Sequence, residues 1–312
     1  AGIRFPKKAL RPGDNRRKLG EDLRQGEPAL HQGQTLTPAA LGLLASLGLP
    51  QVTVYRRLRV AYFSTGDEIL SLGEAPREGA VFDSNRYTVF GLLTRLGCEV
   101  IDLGVVRDAP ALLEAAFVQA ASMADAIITS GGVSVGEADH TKAMMKKLGD
   151  VAFWRIAMRP GRPMAVGLVS RDKLASIPHE IDANNYQNSS FENTGQAVLF
   201  GLPGNPVAVM VTFLAFVRPA LLRMMGSSAS APPLLKAHST EPLRKKPGRT
   251  EYQRGYVSRA PDGSLHVKTT GNQGSGVLSS MVQANGLIVL SHAQGNVAVG
   301  ELVEVMMFEG VT

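Results

Sequence analysis

At 312 residues the chain is longer than a single hydrophobic core ordinarily serves, so two or three domains are predicted. Its apolar fraction of 44% and charged fraction of 19% are ordinary for a soluble globular protein, and the longest apolar run, Val207 to Val217, meets Arg218 after too few residues to span a bilayer. A lone cysteine, Cys98, excludes an intrachain disulfide and a thiolate zinc cluster, and a reducing compartment, the cytoplasm, is the expectation.

The net charge of +6 is unevenly placed, with eight basic residues against three acidic ones in the first 24. Such an arm suits a nucleic acid, an anionic small molecule or plain solvation. No Cys/His finger, helix-turn-helix or aromatic-rich recognition sheet accompanies it, which argues against nucleic acid. Residues 1–57 read as an extended accessory element with one helix behind Thr37-Pro38, a hydroxyl cap followed by proline at the first helical position. From Leu58 strands alternate with helices. Strand Leu58 to Ser64, helix Asn85 to Gly97, strand Glu99 to Val106, a helix after Pro110 and strand Ala124 to Ser130 form a βαβ series, which predicts a mostly parallel sheet with helices on both faces. A short helix to Leu148 and strands Val151 to Met158 and Met164 to Val169 follow. Residues 170–196 are polar and without periodicity, an exposed loop. Strand Ala197 to Leu202 then leads into a long apolar helix ending near Met225, so the α/β domain is placed at 58–226. After a small, polar linker, short strands separated by turns such as Pro261-Asp262-Gly263 and Asn285-Gly286 predict a small β-barrel or sandwich over 234–312.

In an open parallel sheet ligands bind beyond the carboxyl ends of the strands. Three loops there are unusual: Ser64-Thr65-Gly66-Asp67-Glu68; the run Ser130 to Asp139, whose glycines Gly131, Gly132 and Gly136 free backbone NH groups ahead of a helix; and Gly201-Leu202-Pro203-Gly204-Asn205-Pro206. Each alone is a turn as readily as a site. Together, and with Asp108, they gather carboxylates beside free NH groups, a set suited to Mg²⁺ bridging phosphate oxygens. Neither GxGxxG nor a Walker A loop is present. Arg155, Arg159 and Arg162 offer oxyanion-binding forks, which surface placement explains equally well, and Arg249 and Arg254 with Ser275 form a second such group, for which plain surface placement is the better explanation. Cys98 reads as packing and the six histidines lack metal-ligand spacing.

These motifs, in this order and joined by Asp83-Ser84-Asn85, Arg107-Asp108 and Arg159-Pro160-Gly161-Arg162-Pro163, resemble the molybdopterin molybdenumtransferase family, called MoeA in bacteria and the gephyrin E domain in animals. The resemblance runs from about Arg16 to the C-terminus. It implies a three-layer, adenylyltransferase-like molybdopterin-binding domain between an N-terminal arm and a C-terminal β-barrel. It implies a reaction as well: adenylylated molybdopterin and molybdate, with Mg²⁺, give molybdenum cofactor and AMP.

Under that resemblance the acidic catalytic and metal-holding positions fall on Glu68, Asp108 and Asp139, and the cationic ones on Arg155 and Arg159. Cofactor-binding positions fall on Asp22, Thr65, Gly66, Ser84, Asn85, Gly131, Gly132, Ser134, Gly136, Pro203, Gly204, Asn205, Arg254 and Ser275. The family often has lysine at Arg155 and Arg159, and many relatives carry serine at Ala208. The resemblance implies further a homodimer, a transient contact with the adenylyltransferase that acts one step earlier, no nucleic acid and no membrane, and a small β domain ahead of residue 1. The adenylyltransferase reaction itself and a non-catalytic scaffold of the same fold are the alternatives.

Overall fold

The computed structural model describes residue 11 and residues 13–133, 140–170 and 195–309. The chain separates into two compact units, residues 1–54 with 226–229, and residues 55–225 with 230–312. In the first, the expected helix is α1 (Pro38–Ser46): the Thr37 hydroxyl accepts from the Ala40 NH at 3.3 Å, and Gly48, at φ +72°, follows its last turn. Residues 226–229 join this unit through Ser228 NH, which donates to the Gly33 carbonyl at 2.9 Å.

The second unit opens with β1 (Arg59–Thr65), β2 (Ile69–Leu70), β3 (Val81–Phe82), α2 (Ser84–Arg95), β4 (Glu99–Val106), α3 (Pro110–Met123) and β5 (Ala126–Ser130). It continues with α4 (His140–Leu148), β6 (Gly149–Arg155), β7 (Met158–Arg159), β8 (Pro163–Ser170) and β9 (Gln196–Leu202). The main sheet has the order β4-β1-β5-β9-β8-β6. Its first four strands are parallel, and β8 runs antiparallel to both β9 and β6.

Both faces are covered, which is why every residue of β1 after Arg59 is buried. Val60 and Tyr62 face a core shared with Val89, Leu92 and Leu93 of α2, whereas Ala61 and Phe63 face Leu113, Phe117 and Met145 from α3 and α4. Phe63 and Phe117 meet edge to face at 5.1 Å. Helix α5 (Pro206–Met224), which contains a π-helical turn at Phe213–Val217, lies on the α2 face. It runs on through Arg218-Pro219, so its nineteen residues are long and apolar enough to cross a bilayer by length and composition. Here Val207, Val209, Val211, Phe213, Leu214, Val217 and Leu221 are instead packed into the core under the sheet.

The C-terminal strands are β10 (Leu235–Ser239), β11 (Thr250–Arg259), β12 (Leu265–Thr269), β13 (Gly286–Leu290) and β14 (Leu302–Met307), with a short α6 (Ser279–Gln283). Their order, β12-β10-β14-β13-β11, closes through a β11–β12 pairing into a five-stranded barrel around Val257, Val267, Ile288, Val303 and Val305.

The sequence-based strand from Val151 to Met158 is divided. Ile156 NH turns back to the Arg162 carbonyl at 2.7 Å, so β6 ends at Arg155 and β8 begins at Pro163. Met158 and Arg159 then leave the sheet and pair as β7 with Thr250 and Glu251 of β11. The sheet domain and the barrel are thereby stitched by backbone hydrogen bonds. Most of the polar segment 170–196 lies outside the described residues.

Candidate active site

The chain forms β1, steps to β4 on one side, and then crosses to β5 on the other side of β1. The loops after β1 and β5 therefore diverge, and the crevice between them is the switch point at which open sheets bind ligands. Thr65 closes one strand and Ser130 the other. The Thr65 hydroxyl lies 3.5 Å from the Ser130 carbonyl, and the Tyr62 hydroxyl bonds Ser64 Oγ at 2.8 Å and Ser130 Oγ at 2.6 Å. Burial holds the Tyr62 phenol far above its usual range, so it stays protonated and tightens the two strand ends.

Gly131 and Gly132 are required where they stand. Both have positive φ; a Cβ on Gly131 would meet the Thr65 carbonyl oxygen at 2.5 Å, and one on Gly132 would meet Thr141 Cβ at 2.4 Å. Gly66, at φ +141°, leaves room for the Glu68 carboxylate, whose oxygen would lie 2.6 Å from a Cβ there. Asp67 turns across to β4: its Oδ1 accepts from the Asp108 NH at 3.2 Å, while its carbonyl accepts from Arg77. Asp108 Oδ1 in turn accepts from the Thr141 hydroxyl at 3.4 Å.

A third side is supplied by the start of α2. Asp83 caps it, Oδ1 accepting from the Arg86 NH at 3.0 Å, and Asn85 Nδ2 donates 2.7 Å to the Gly204 carbonyl, with Ser84 half-buried between them. Asp83 Oδ2 and Asn85 Oδ1 are buried with no hydrogen-bond partner among the described residues. A buried acceptor left unpaired costs about 1–3 kcal/mol, so this corner favours a hydrogen-bond donor. Beyond Gly204, the buried Pro203 and exposed Asn205 lead into α5, whose Val207 NH donates to the Ser275 carbonyl at 3.1 Å. The turn from Pro203 to Pro206 thus joins the switch-point crevice to the barrel.

At that seam stand the arginines. Arg159 and Arg254 line a cavity of about 260 Å³ with Glu241, Arg244, Glu251, Gln253 and Gln273. Arg254 is buried; its Nε donates to Ser280 Oγ at 2.9 Å and its Nη2 to the carbonyls of Asn272 and Gly274 at 3.2 and 3.0 Å. Burial, and secondarily the charge of Arg159, lower its pKa to about 10, a strain that an anion in the cavity would relieve. Arg155 opens onto a separate cleft with Arg162.

Of the positions suggested by sequence, Thr65, Gly66, Glu68, Ser84, Asn85, Asp108, Gly131, Gly132, Pro203 and Gly204 line or frame the crevice, and Asn205, Ser275, Arg159 and Arg254 lie along the seam. Asp22 is exposed in the other unit. Ser134, Gly136 and Asp139 lie outside the described residues. Among the described residues, no three carboxylate, imidazole or thiol groups converge as a ready-made metal cage. Sequence reasoning placed Ser64, Asp67 and Asp83 in the motifs without giving them a role, and missed Tyr62 and Thr141. Tyr62 and Ser64 had a signal, polar groups on the inward side of an apolar strand.

This crevice and appended barrel define the class, a molybdopterin-binding α/β domain: residues 61–223 match the model described as a probable molybdopterin binding domain. Residues 2–48 match the MoeA N-terminal region (domain I and II), and residues 236–308 the MoeA C-terminal region (domain IV). The chain belongs to the MoeA family of molybdopterin molybdenumtransferases. It is 43% identical over 299 residues to the molybdopterin molybdenumtransferase of Haemophilus influenzae, covering 96% of this chain and 68% of that protein. With the molybdopterin molybdenumtransferase of a Nostoc species it shares 33% identity, covering 95% of this chain and 63% of that one. A solved structure of a molybdopterin biosynthesis MoeA protein from Pyrococcus horikoshii superposes with a TM-score of 0.69 at 27% identity, over 93% of this chain and 64% of the other. A molybdenum cofactor biosynthesis protein from Pyrococcus furiosus gives 0.65 at 25% identity, over 92% of this chain and 82% of the other. The chain thus spans about two thirds of the length of the curated relatives it matches.

Proposed function

We propose that the chain inserts molybdate into adenylylated molybdopterin and releases AMP. The observation that carries the reading is the continuity of the switch-point crevice with the arginine-lined seam through Pro203 to Pro206. The Gly131 NH is taken by the Leu202 carbonyl at 3.1 Å, so the crevice offers a heterocycle and its phosphates the Gly132 NH and, at Asp83 and Asn85, buried acceptors without a partner among the described residues. A pterin ring presents complementary amine and ring NH donors. The seam offers Arg159 and Arg254 to an oxyanion such as molybdate.

Asp67, Glu68 and Asp108 supply hard oxygen donors beside the crevice, and a set of one or two carboxylates completed by water and phosphate oxygens suits Mg²⁺. Bound there, Mg²⁺ would neutralise the charge that develops on the departing AMP phosphate. The residues of the chain orient that phosphate: Thr141 holds Asp108, Asp108 holds Asp67 through its backbone NH, and Gly132 offers its own NH. Self-association as a homodimer is part of the proposal, supported by exposed Leu41, Leu47, Leu49 and Val52 in the first unit. So are a cytoplasmic location and a transient contact with the adenylyltransferase.

The test is AMP release from adenylylated molybdopterin with and without molybdate and Mg²⁺, in the chain extended to the length of its relatives. Release that requires both ions is expected. Tight binding of the substrate without release would leave a cofactor-binding module and defeat the reading.

A further inference from the structure

His238 on β10 and His266 on β12 are register partners across a parallel pairing, and their rings lie 5.9 Å apart, centre to centre. Ala237 and Val267 beside them belong to the barrel core, so both imidazoles stand on its outer surface, half-buried. From this we infer a two-imidazole site for a divalent transition-metal ion of the zinc and copper class, with donors unlike the carboxylates suited to Mg²⁺.

The hydrogen bonds around the two neutral rings fix which nitrogen carries the proton. His238 Nδ1 lies 2.8 Å from the Gly300 carbonyl oxygen, which can only accept, so Nδ1 is the donor and the Nε2 lone pair is left over. His266 Nε2 lies 3.0 Å from Ser264 Oγ. The Ser264 hydroxyl donates its one proton to Asp262 Oδ1 at 2.6 Å, so it accepts from His266 Nε2 and the Nδ1 lone pair is left over. Neither of these lone pairs has a hydrogen-bond partner among the described residues. Each ring therefore has one NH anchored, to a carbonyl or through a serine to a carboxylate, and one bare nitrogen. Outer partners of this kind orient a ligating imidazole and raise its basicity.

An ion held by two imidazoles at about 2.0–2.1 Å keeps their ring centres roughly 5–6 Å apart, and the pair has that separation. Along the same row of the outer face His238 stands opposite Leu302 and His266 opposite Ser258, so no cationic side chain occupies the row. Imidazole nitrogens suit zinc, copper and nickel, whereas Mg²⁺ and Ca²⁺ prefer oxygen. Two protein ligands leave the other coordination positions to water.

The pair also falls on the shortest seam of the barrel. Two register pairs join β10 to β12, His238 with His266 and Ser239 with Val267, whereas five join β11 to β12 and four join β10 to β14. An ion bound by both histidines clips that seam, and because it binds only where the strands are paired it stabilises the folded barrel by mass action.

The test is calorimetric titration of the untagged chain with Zn²⁺ near neutral pH, in millimolar Mg²⁺. Zn²⁺ should bind as a single equivalent at micromolar concentration and raise the melting temperature. His238→Gln and His266→Gln should each weaken the binding by about tenfold or more and abolish the rise, while both melt at the wild-type temperature without Zn²⁺. Ser264→Ala, which removes the anchor of His266, should weaken it by roughly tenfold. His292→Gln, outside the pair, should leave it unchanged. Cu²⁺ on the wild-type chain should show nitrogen coupling from two imidazoles in its paramagnetic resonance spectrum, a readout that stands even where a variant does not fold. No Zn²⁺ binding below millimolar concentration, binding that both histidine substitutions leave intact, or a Cu²⁺ spectrum without that coupling would overturn the proposal. None of these readouts depends on turnover.

Discussion

The α-carbon of Gly131 lies so close to Thr65 that a methyl group added to it would stand 2.5 Å from the Thr65 carbonyl oxygen. The strand ends at the switch point are in contact, and only a residue without a side chain passes between them.

Gly131→Ala is therefore expected to destabilise the protein by about 2–4 kcal/mol, from backbone strain at φ +90° together with overpacking. Urea unfolding measures it. Gly91→Ala is the control, because Gly91 lies within α2 and nothing approaches its Cβ position; there the change should stabilise by about 0.5–1 kcal/mol. A loss below about 1 kcal/mol at Gly131 would mean that the loop relaxes freely, within the range of an ordinary surface change.

Tyr62 gives a spectroscopic prediction. Burial raises its phenol far above the ordinary 10, and burial raises Tyr252 as well. An unfolded tyrosine ionises near 10, so above that pH the unfolded state sheds a proton that the folded state retains. The stability contributed by these phenols is full below pH 10 and is lost as pH rises through the folded value. In an ultraviolet titration at least one of the six phenols, Tyr62, should ionise only as the protein unfolds, and Tyr252 should titrate above the exposed ones. Tyr62→Phe should remove the former and lower stability by about 1–2 kcal/mol through lost hydrogen bonds to Ser64 and Ser130. Six phenols titrating together near pH 10 would contradict the buried hydroxyl cluster.

Local signals made much of the architecture legible. Glu99 to Val106 is a strand with those limits because alternating and β-branched residues stand between a glycine-closed helix and Pro110, and Thr37-Pro38 starts its helix by capping chemistry. The βαβ rhythm announced the parallel sheet, and hence the loops worth inspecting. What local pattern does not carry is partnership across distance. The run from Val151 to Met158 reads as one strand, yet Met158 and Arg159 pair with Thr250 and Glu251, about ninety residues downstream. For the same reason Arg155, Arg159 and Arg162, evenly spaced in sequence, open onto two different cavities. Asp67 and Glu68 were equivalent as letters; only the fold turns Asp67 toward the backbone of Asp108.

Cys98 is buried against the α2 face of the sheet, and burial raises its thiol to about 11. At pH 8 it should react with an aromatic disulfide reagent at least a hundredfold more slowly than an unfolded thiol, and one equivalent should appear in urea. Rapid native labelling would mean that the helix end at Leu96 and Gly97 opens readily.

Arg254 faces two demands that a pair of measurements separates. Its guanidinium holds the 272–274 turn through two carbonyls and α6 through Ser280, and its backbone NH takes the Gln273 side chain at 2.7 Å. Lysine keeps the charge but cannot span these acceptors, so Arg254→Lys should cost about 2–3 kcal/mol in urea unfolding. The proposed function also gives Arg254 a contact with molybdate, and the depression of its pKa by burial and by Arg159 means that an oxyanion in the cavity stabilises the charged form. Molybdate should then raise the melting temperature of the wild-type chain, and Arg254→Lys should reduce that rise by more than half. Arg159→Gln, which breaks none of the Arg254 hydrogen bonds, should reduce the rise while leaving stability without molybdate within about 0.5 kcal/mol, as expected of an exposed side chain. If Arg254→Lys loses stability but keeps the full molybdate response, its role is to hold the turn. If both variants keep the full response, the seam is not where molybdate binds.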